Sequence, residues 1–302
     1  MGILSCIGKT PLARIEHLNP NPRVALYAKL EGNNPGGSVK DRIALWMIER
    51  AEEEGLLTRD KIVLEATSGN TGIGLAMVAV AKGYRVKLTM PACVSVERRR
   101  VLTAFGAELI LSPSEEGTDG AIRLAQRILE EEPGRYYMPN QFDNPANYMA
   151  HYESTGPEVV EQTGGRITHF VAGMGTTGTL MGTARRLKEY NPDIRIIGVE
   201  PILGHRIQGL KNMSESIVPA IFEAGRLDER HLVNDEEAFD ATRMLAVKEG
   251  IFAGMSSGAA MHVALRKSSE LKEGTVVVIL PDRGDRYLST ALFTSICGKC
   301  PP

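Results

Sequence analysis

The chain lacks any apolar run near the roughly 18 residues that a membrane-crossing helix requires. It is also poor in cysteine and aromatics, with four cysteines, one tryptophan and 5% Phe, Trp and Tyr in 302 residues. Four scattered cysteines do not make a disulfide framework. Cys6 and Cys93 read as ordinary thiols. Cys297-x-x-Cys300 lacks the further ligands of a structural zinc and the following helix of a redox motif, so it reads as a pair of tail thiols and no metal site is expected. Charge of one sign is missing too: 35 Lys and Arg stand against 37 Asp and Glu, a formal net charge of −2. Such a balance gives no electrostatic reason to expect nucleic acid or a membrane as partner. The first residues, MGILSCIGKTPLARIE, carry neither the basic nor the apolar region of a secretory leader, and a cytoplasmic location is expected. There is no low-complexity segment and no exact internal repeat.

What is present is ordinary for a globular protein, 43% apolar and 24% charged residues in a length that suits two domains. Short strand patterns alternate with helical ones. VALYAKLE (24–31), KIVLEAT (61–67), YRVKLTMP (84–91) and AELILSP (107–113) read as strands. Helices are expected from about 38 to 55, over the apolar IGLAMVAVAKG (73–83), over SVERRRVLTAFG (95–106) and over 117–134. After a polar connection at Asn140–Asn147 the alternation resumes. A helix over 151–162 is followed by the strand ITHFVAG (167–173), the helix LMGTARRLKEY (180–190) and the strand IRIIGVEP (194–201). Residues 202–230 show weak periodicity and read as loops. A helix over 235–249, another over 259–271 and the strand TVVVILP (275–281) complete the series. Strands alternating with helices imply parallel βαβ units and a layered α/β fold.

In open parallel sheets, ligands bind where loops leave the carboxyl ends of strands and enter helices. Three loops are read in that position: 67–72, 173–179 and 254–258. Gly173-x-Gly175-x-x-Gly178, with Glu200 ending the next strand, matches a dinucleotide-binding fingerprint. The hydroxyls of Thr176, Thr177 and Thr179 suit a phosphate monoester with several oxygens to satisfy. Thr67-Ser68-Gly69-Asn70-Thr71-Gly72 can form a nest for a carboxylate, with the Asn70 amide available to a ring oxygen. Ser256 and Ser257 are either N-caps or neutral partners for a heterocycle nitrogen. Lys40 follows Gly36-Gly37-Ser38, and Ser38 with Asp41 three residues on marks a helix start. An ammonium in a first helical turn opposes the helix dipole, which favours a neutral amine able to attack a carbonyl.

Four stretches, PGGSVKDR around Lys40, EATSGNTG, GMGTTGT and GMSSGAA, run in that order over almost the whole chain. They resemble the fold-type II pyridoxal-phosphate enzymes, and within them the cysteine synthases (O-acetylserine sulfhydrylases). DRGDRYLST together with GTTGT is more similar to the B isozyme than to the A form. The resemblance implies two three-layer α/β domains, each on a parallel sheet, as in the tryptophan synthase β fold. A smaller, mobile domain would span 35–145 and a larger one 1–34 plus 146–302.

The resemblance also implies pyridoxal 5′-phosphate as cofactor, with Lys40 forming the Schiff base and moving protons. Gly175, Thr176, Thr177, Gly178 and Thr179 would hold the phosphate, Asn70 the ring oxygen and Ser256 the ring nitrogen. Thr67, Ser68, Thr71 and Gln141 would grip the substrate carboxylate. The implied reaction is β-replacement through an aminoacrylate, making L-cysteine from O-acetylserine and sulfide or thiosulfate in a homodimer. Arg206 and Lys211, if they reach the substrate tail, would favour O-phosphoserine instead. On the same fold a serine/threonine dehydratase or a cystathionine β-synthase would use the same groups. Outside it stand an NAD-dependent dehydrogenase, on the 173–200 pattern, and a non-catalytic binding module.

Overall fold

The computed structural model describes residues 2–67, 69–94, 96–214 and 218–293. Along the chain run β1 (Leu12–Arg14), β2 (Val24–Leu30), α1 (Lys40–Glu53), β3 (Ile62–Ala66), α2 (Asn70–Lys82), β4 (Arg85–Pro91), α3 (Val96–Ala104), β5 (Glu108–Ser112), α4 (Gly117–Glu131) and β6 (Tyr136–Tyr137). They continue with α5 (Pro145–Ala150), α6 (Gly156–Gln162), β7 (His169–Gly173), α7 (Gly178–Tyr190), β8 (Arg195–Pro201), β9 (Glu229–Val233), α8 (Asp235–Glu249), α9 (Met255–Glu270) and β10 (Gly274–Leu280). One compact unit takes in Met1–Ile7 and Asn34–Asn147, the other Gly8–Asn33 and Tyr148–Pro302. The segment Met1–Ile7, expected in the larger domain, falls in the first unit, where the single turn Ile3–Cys6 packs on α2.

The first unit is built on four parallel strands in the order β5-β4-β3-β6. Alternation along β3 sends Ile62, Leu64 and Ala66 into a core with Ala121 and Ala125 of α4. That leaves Val63 and Glu65 for the opposite face, the side on which α2 packs. From Thr71 to Ala79 the residues of α2 are all buried, so its apolar composition reflects a helix enclosed by its neighbours. The chain proceeds outward from β3 to β4 and β5, then returns to place β6 on the other side of β3. The strand order therefore reverses between β3 and β6, and the loops leaving those two strands flank the crevice where such sheets bind ligands.

The second unit has the sheet order β1-β2-β10-β7-β8-β9. All its pairs are parallel except β1 on β2, an antiparallel edge absent from the sequence expectation. Period-2 alternation is visible in β10. Val276, Val278 and Leu280 enter the core with α8 and α9, while Val277 and Ile279 join Leu180, Met181 and Ala184 of α7 on the other face. Burying each such side chain contributes about 1.5–3 kcal/mol, which explains why TVVVILP is apolar at nearly every position. Here the order reverses between β7 and β10, and the loop leaving β7 is 173–179.

Two further differences have local causes. β9 reaches into the stretch read as loop, because as an edge strand it buries only Val233 and its composition stays polar. Helix α9 starts at Met255 rather than 259, since Gly254 serves as its N-cap. The loop read at 254–258 therefore does not leave a strand. It joins α8 to α9, and is brought beside the end of β10 by the bridge between Ala253 and Arg283 and by the Gly254 N–H donating to the Asp282 carbonyl (3.2 Å).

Candidate active site

Lys40 is half-buried and is the first residue of α1. The expected capping box does not form. Val39 is the N-cap, the Ser38 hydroxyl accepts the Lys40 N–H (3.2 Å), and the buried Asp41 carboxylate accepts the Gly36 N–H (2.5 Å). Both interactions fix the turn that leads into Lys40. Gly74 of α2 fixes it from the other side, since a Cβ there would lie 3.0 Å from the Lys40 carbonyl oxygen. A glycine is what allows the first turn of α1 to approach α2 so closely.

The loop after β3 begins at Thr67, whose N–H donates to the Thr89 carbonyl (3.0 Å) and whose hydroxyl accepts the Gly69 N–H (3.4 Å). Ser68 lies outside the described residues. Asn70 and Thr71 open α2, Asn70 half-buried and Thr71 buried. The Thr71 hydroxyl donates to Gln141 Oε1 at 2.6 Å, so the structure brings together two of the residues assigned to a carboxylate. With Oε1 engaged, Gln141 presents its amide N–H₂ as donor.

Glu65 opens the stretch EATSGNTG but has no role among the residues assigned from the sequence. It sits in β3, 3% exposed, and its Oε2 accepts the Asn140 N–H at 2.8 Å. Burial pushes its carboxyl up to about 8, against the opposing pull of the Asn140, Ala66 and Gln141 N–H groups. The native state therefore keeps a proton that the unfolded chain releases near pH 4.5. Between those pH values the native state binds more protons, so this group's contribution to stability declines as pH rises from about 4.5 to about 8. Urea midpoints measured across that range should fall more steeply for the unsubstituted protein than for Glu65→Gln. Equal slopes would contradict the assignment. A carboxylate interrupting an otherwise apolar strand is the signal the sequence offers.

In the second unit, the loop leaving β7 is held by its backbone. The Met174 N–H donates to the Val199 carbonyl (2.7 Å), and the Met174 carbonyl accepts the Lys211 N–H (2.8 Å). A Cβ on Gly175 would lie 2.5 Å from the Gly209 carbonyl oxygen. Thr177, the residue that caps α7, has φ +67°. For a β-branched residue this left-handed conformation costs on the order of 1–3 kcal/mol. Its side chain is 2% exposed, and its Oγ1 is buried without a hydrogen-bond partner among the described residues. Thr176 and Gly178 are also buried, and the half-buried Thr179 has its hydroxyl 3.2 Å from Nε2 of buried His151. A strained loop with an orphaned hydroxyl at a helix N-terminus fits an anion with several oxygens, as a phosphate monoester has.

Ser256, 4% exposed, lies in the first turn of α9 rather than at its cap. A Cβ on Gly209 would come within 3.8 Å of its hydroxyl, so the Gly209 segment runs from the β7 loop to Ser256. Ser257 Oγ is buried with no partner among the described residues.

The remaining sequence assignments fare differently. Glu200, the acid of the dinucleotide pattern, is buried and already accepts the Met213 N–H (3.0 Å) and Arg230 Nε–H (3.0 Å). Arg206 pairs with Asp235 at the start of α8 (2.9 Å) and is 70% exposed. Lys211 is half-buried, with its backbone on the β7 loop. Cys297 and Cys300 lie outside the described residues. Among the described residues no cluster of three His, Cys, Asp or Glu could hold a metal, and no helix is long and apolar enough to cross a membrane.

Comparison with known proteins shows what the whole chain is similar to. The family model described as "Pyridoxal-phosphate dependent enzyme" matches residues 3–282. A cysteine synthase of Aquifex aeolicus is 50% identical over 97% of this chain and 92% of its own length. Cysteine synthase B of Pseudomonas aeruginosa is 50% identical over 96% of this chain and 97% of its own. Among solved structures, the cysteine synthase of Entamoeba histolytica superposes with a TM-score of 0.92 at 39% identity, covering 97% of this chain and 90% of that one.

Proposed function

The chain belongs to the pyridoxal-phosphate dependent enzymes, and from that premise we propose that it is a cysteine synthase, replacing the acetoxy group of O-acetyl-L-serine with sulfur. The observation that carries the reading is the buried Thr177 hydroxyl, without a partner among the described residues, in the strained loop that opens α7, a feature that the cofactor's phosphate oxygens would satisfy. The near full-length identity with two cysteine synthases supports the choice of reaction.

Pyridoxal phosphate, when bound, supplies the electron sink that loosens the α-proton and β-substituent of an amino acid. Lys40 would attach the cofactor, and its Nζ would take the α-proton and return it once sulfur has added; the Asn70 amide would hold the ring oxygen. Thr67, Ser68, Thr71 and Gln141 would bind the substrate carboxylate. Backbone N–H groups and hydroxyls of Gly175, Thr176, Thr177, Gly178 and Thr179 would hold the phosphate. Ser256 would meet the ring nitrogen with a neutral hydroxyl, leaving it unprotonated and favouring loss of the β-substituent. Acetate departs with the bonding pair, and the sulfur nucleophile bonds to the same carbon.

Arg206 is engaged by Asp235 and faces solvent, which favours the uncharged acetyl ester over the dianionic phosphate. Sulfide or thiosulfate is assigned as donor. The working form is assigned as a cytoplasmic homodimer on the family resemblance. Cofactor-loaded protein, assayed with O-acetylserine and O-phosphoserine in parallel against both donors, is expected to form product, cysteine with sulfide and S-sulfocysteine with thiosulfate, faster from O-acetylserine. Deamination of serine or threonine with no cysteine formed would transfer the chain to the dehydratases.

A further inference from the structure

We propose that Glu65 is a positioning residue for substrate binding, holding Asn140 and Gln141 so that the Gln141 amide meets the substrate carboxylate. This rests on the assignment of Thr71 and Gln141 to that carboxylate. All the residues concerned belong to the first unit, at the crevice where the strand order reverses between β3 and β6.

Gln141 sits beyond the end of β6, outside any helix or strand. Its orientation depends on Asn140, which has φ +50°, a conformation that few residues other than glycine adopt and that needs support from its surroundings. Part of that support is a local turn. The Asn140 carbonyl accepts the N–H groups of Asp143 (3.1 Å) and Asn144 (3.0 Å), and Asn140 Nδ2 donates to Asp143 Oδ2 (2.9 Å). Asn147 Nδ2 donates to the Gln141 carbonyl at 2.6 Å. These bonds shape the 140–147 segment internally, but none of them anchors it to the sheet. Glu65 does: its Oε2 accepts the Asn140 N–H at 2.8 Å. One side chain in the middle of the sheet therefore ties Asn140, whose conformation sets the course of the chain into Gln141 and so where the Gln141 amide points. Thr71 then receives Gln141 from the α2 side.

The neighbouring elements offer Glu65 little else. β4 pairs Leu88 with it in register. α2 buries only uncharged side chains, and its terminal Lys82 pairs with Glu49 and Glu52 of α1. On β6 the Tyr137 phenol, pushed up to about 12 chiefly by burial, also feels the charges of Glu54 and Glu65. Among the described residues no cation pairs with Glu65, and a buried carboxyl so placed stabilises a fold poorly. Its hydrogen bond to the Asn140 N–H gives it a use.

The test compares Glu65→Met, which keeps the length of the side chain and removes its acceptors, with Glu65→Gln, which keeps an acceptor at the same reach. In cofactor-loaded enzyme, Glu65→Met is expected to raise KM for O-acetylserine by about ten-fold or more, with a much smaller change in kcat. Glu65→Gln should restore most of that loss, and the dissociation constant for pyridoxal phosphate should stay constant in both. In a Gln141→Ala background, Glu65→Met should add little further. An unchanged KM in Glu65→Met, or an equal rise on top of Gln141→Ala, overturns the proposal. If Glu65→Met does not fold, Glu65→Asp, which draws the carboxylate back by one methylene, is expected to give the same KM effect; failure of both to fold marks Glu65 as a folding residue and also overturns it. An unchanged KM in Gln141→Ala itself would instead remove the carboxylate-site reading, and the proposal with it.

Discussion

Replacing Lys40 with alanine is expected to lower cysteine formation by at least about a thousand-fold, the scale on which a positioned acid–base group acts, while leaving a folded protein. The expectation follows from where the lysine stands. It opens α1 on a turn pinned by Ser38 and Asp41, and its carbonyl lies so close to α2 that a Cβ at position 74 would sit 3.0 Å from it, tighter than ordinary contact. The backbone at this position is fixed by its neighbours. Truncation should therefore leave the circular dichroism spectrum of a folded α/β protein. What would disappear is the amine assigned to join the cofactor and handle the α-proton. Pyridoxal phosphate would still be held through its phosphate by the loop leaving β7, but without a covalent bond to the protein. Turnover comparable to that of the unsubstituted enzyme would refute the role.

The second large effect is expected at Gly175. An added methyl group would sit 2.5 Å from the carbonyl oxygen of Gly209 and 3.7 Å from its carbonyl carbon. Both are backbone atoms, so no side chain can swing aside to make room. Nor can the loop retreat on its other flank, because the N–H and carbonyl of Met174 are bonded to Val199 and Lys211. The displacement must pass into 176–178, where Thr177 already occupies a costly left-handed conformation. Since a shift of about 1 Å in a binding group can cost on the order of a hundred-fold, Gly175→Ala should weaken pyridoxal phosphate binding by roughly that factor. The melting temperature should fall as well. Gly225→Ala serves as control, because a Cβ there meets nothing within 4 Å, and it should alter neither quantity. Equal cofactor affinity in Gly175→Ala and the unsubstituted protein would show that the loop does not hold the phosphate.

Much of this arrangement is legible in the residues. Alternating apolar patterns foretell the layered α/β fold, since a parallel strand covered on both faces must be apolar almost throughout, as TVVVILP is. The glycine- and threonine-rich segment at 173–179 announces a loop at a strand end, because glycine at 175 and a hydroxyl at 177 have little purpose elsewhere. The sequence is less informative where long-range closure decides the structure. β6 is only two residues long, and β9 buries Val233 but exposes Leu232, so neither produces a clean pattern, yet β6 creates the reversal of strand order in the first unit. The α9 start is displaced because Gly254 caps it, a role no periodicity reveals. Glu65 is hidden for a related reason. Its partner is the backbone N–H of a residue 75 positions away, and the single acid in KIVLEAT signals a buried carboxylate without revealing what it bonds.

The central claim is that Lys40 carries pyridoxal phosphate. Borohydride reduction of the purified, cofactor-loaded protein, followed by proteolysis and peptide mass mapping, tests it most directly. The expected result is a yellow protein whose visible band is lost on reduction, with a phosphopyridoxyl group on the peptide containing Lys40 and on no other. A colourless protein, or a label on a different lysine while Lys40 stays unmodified, would contradict it.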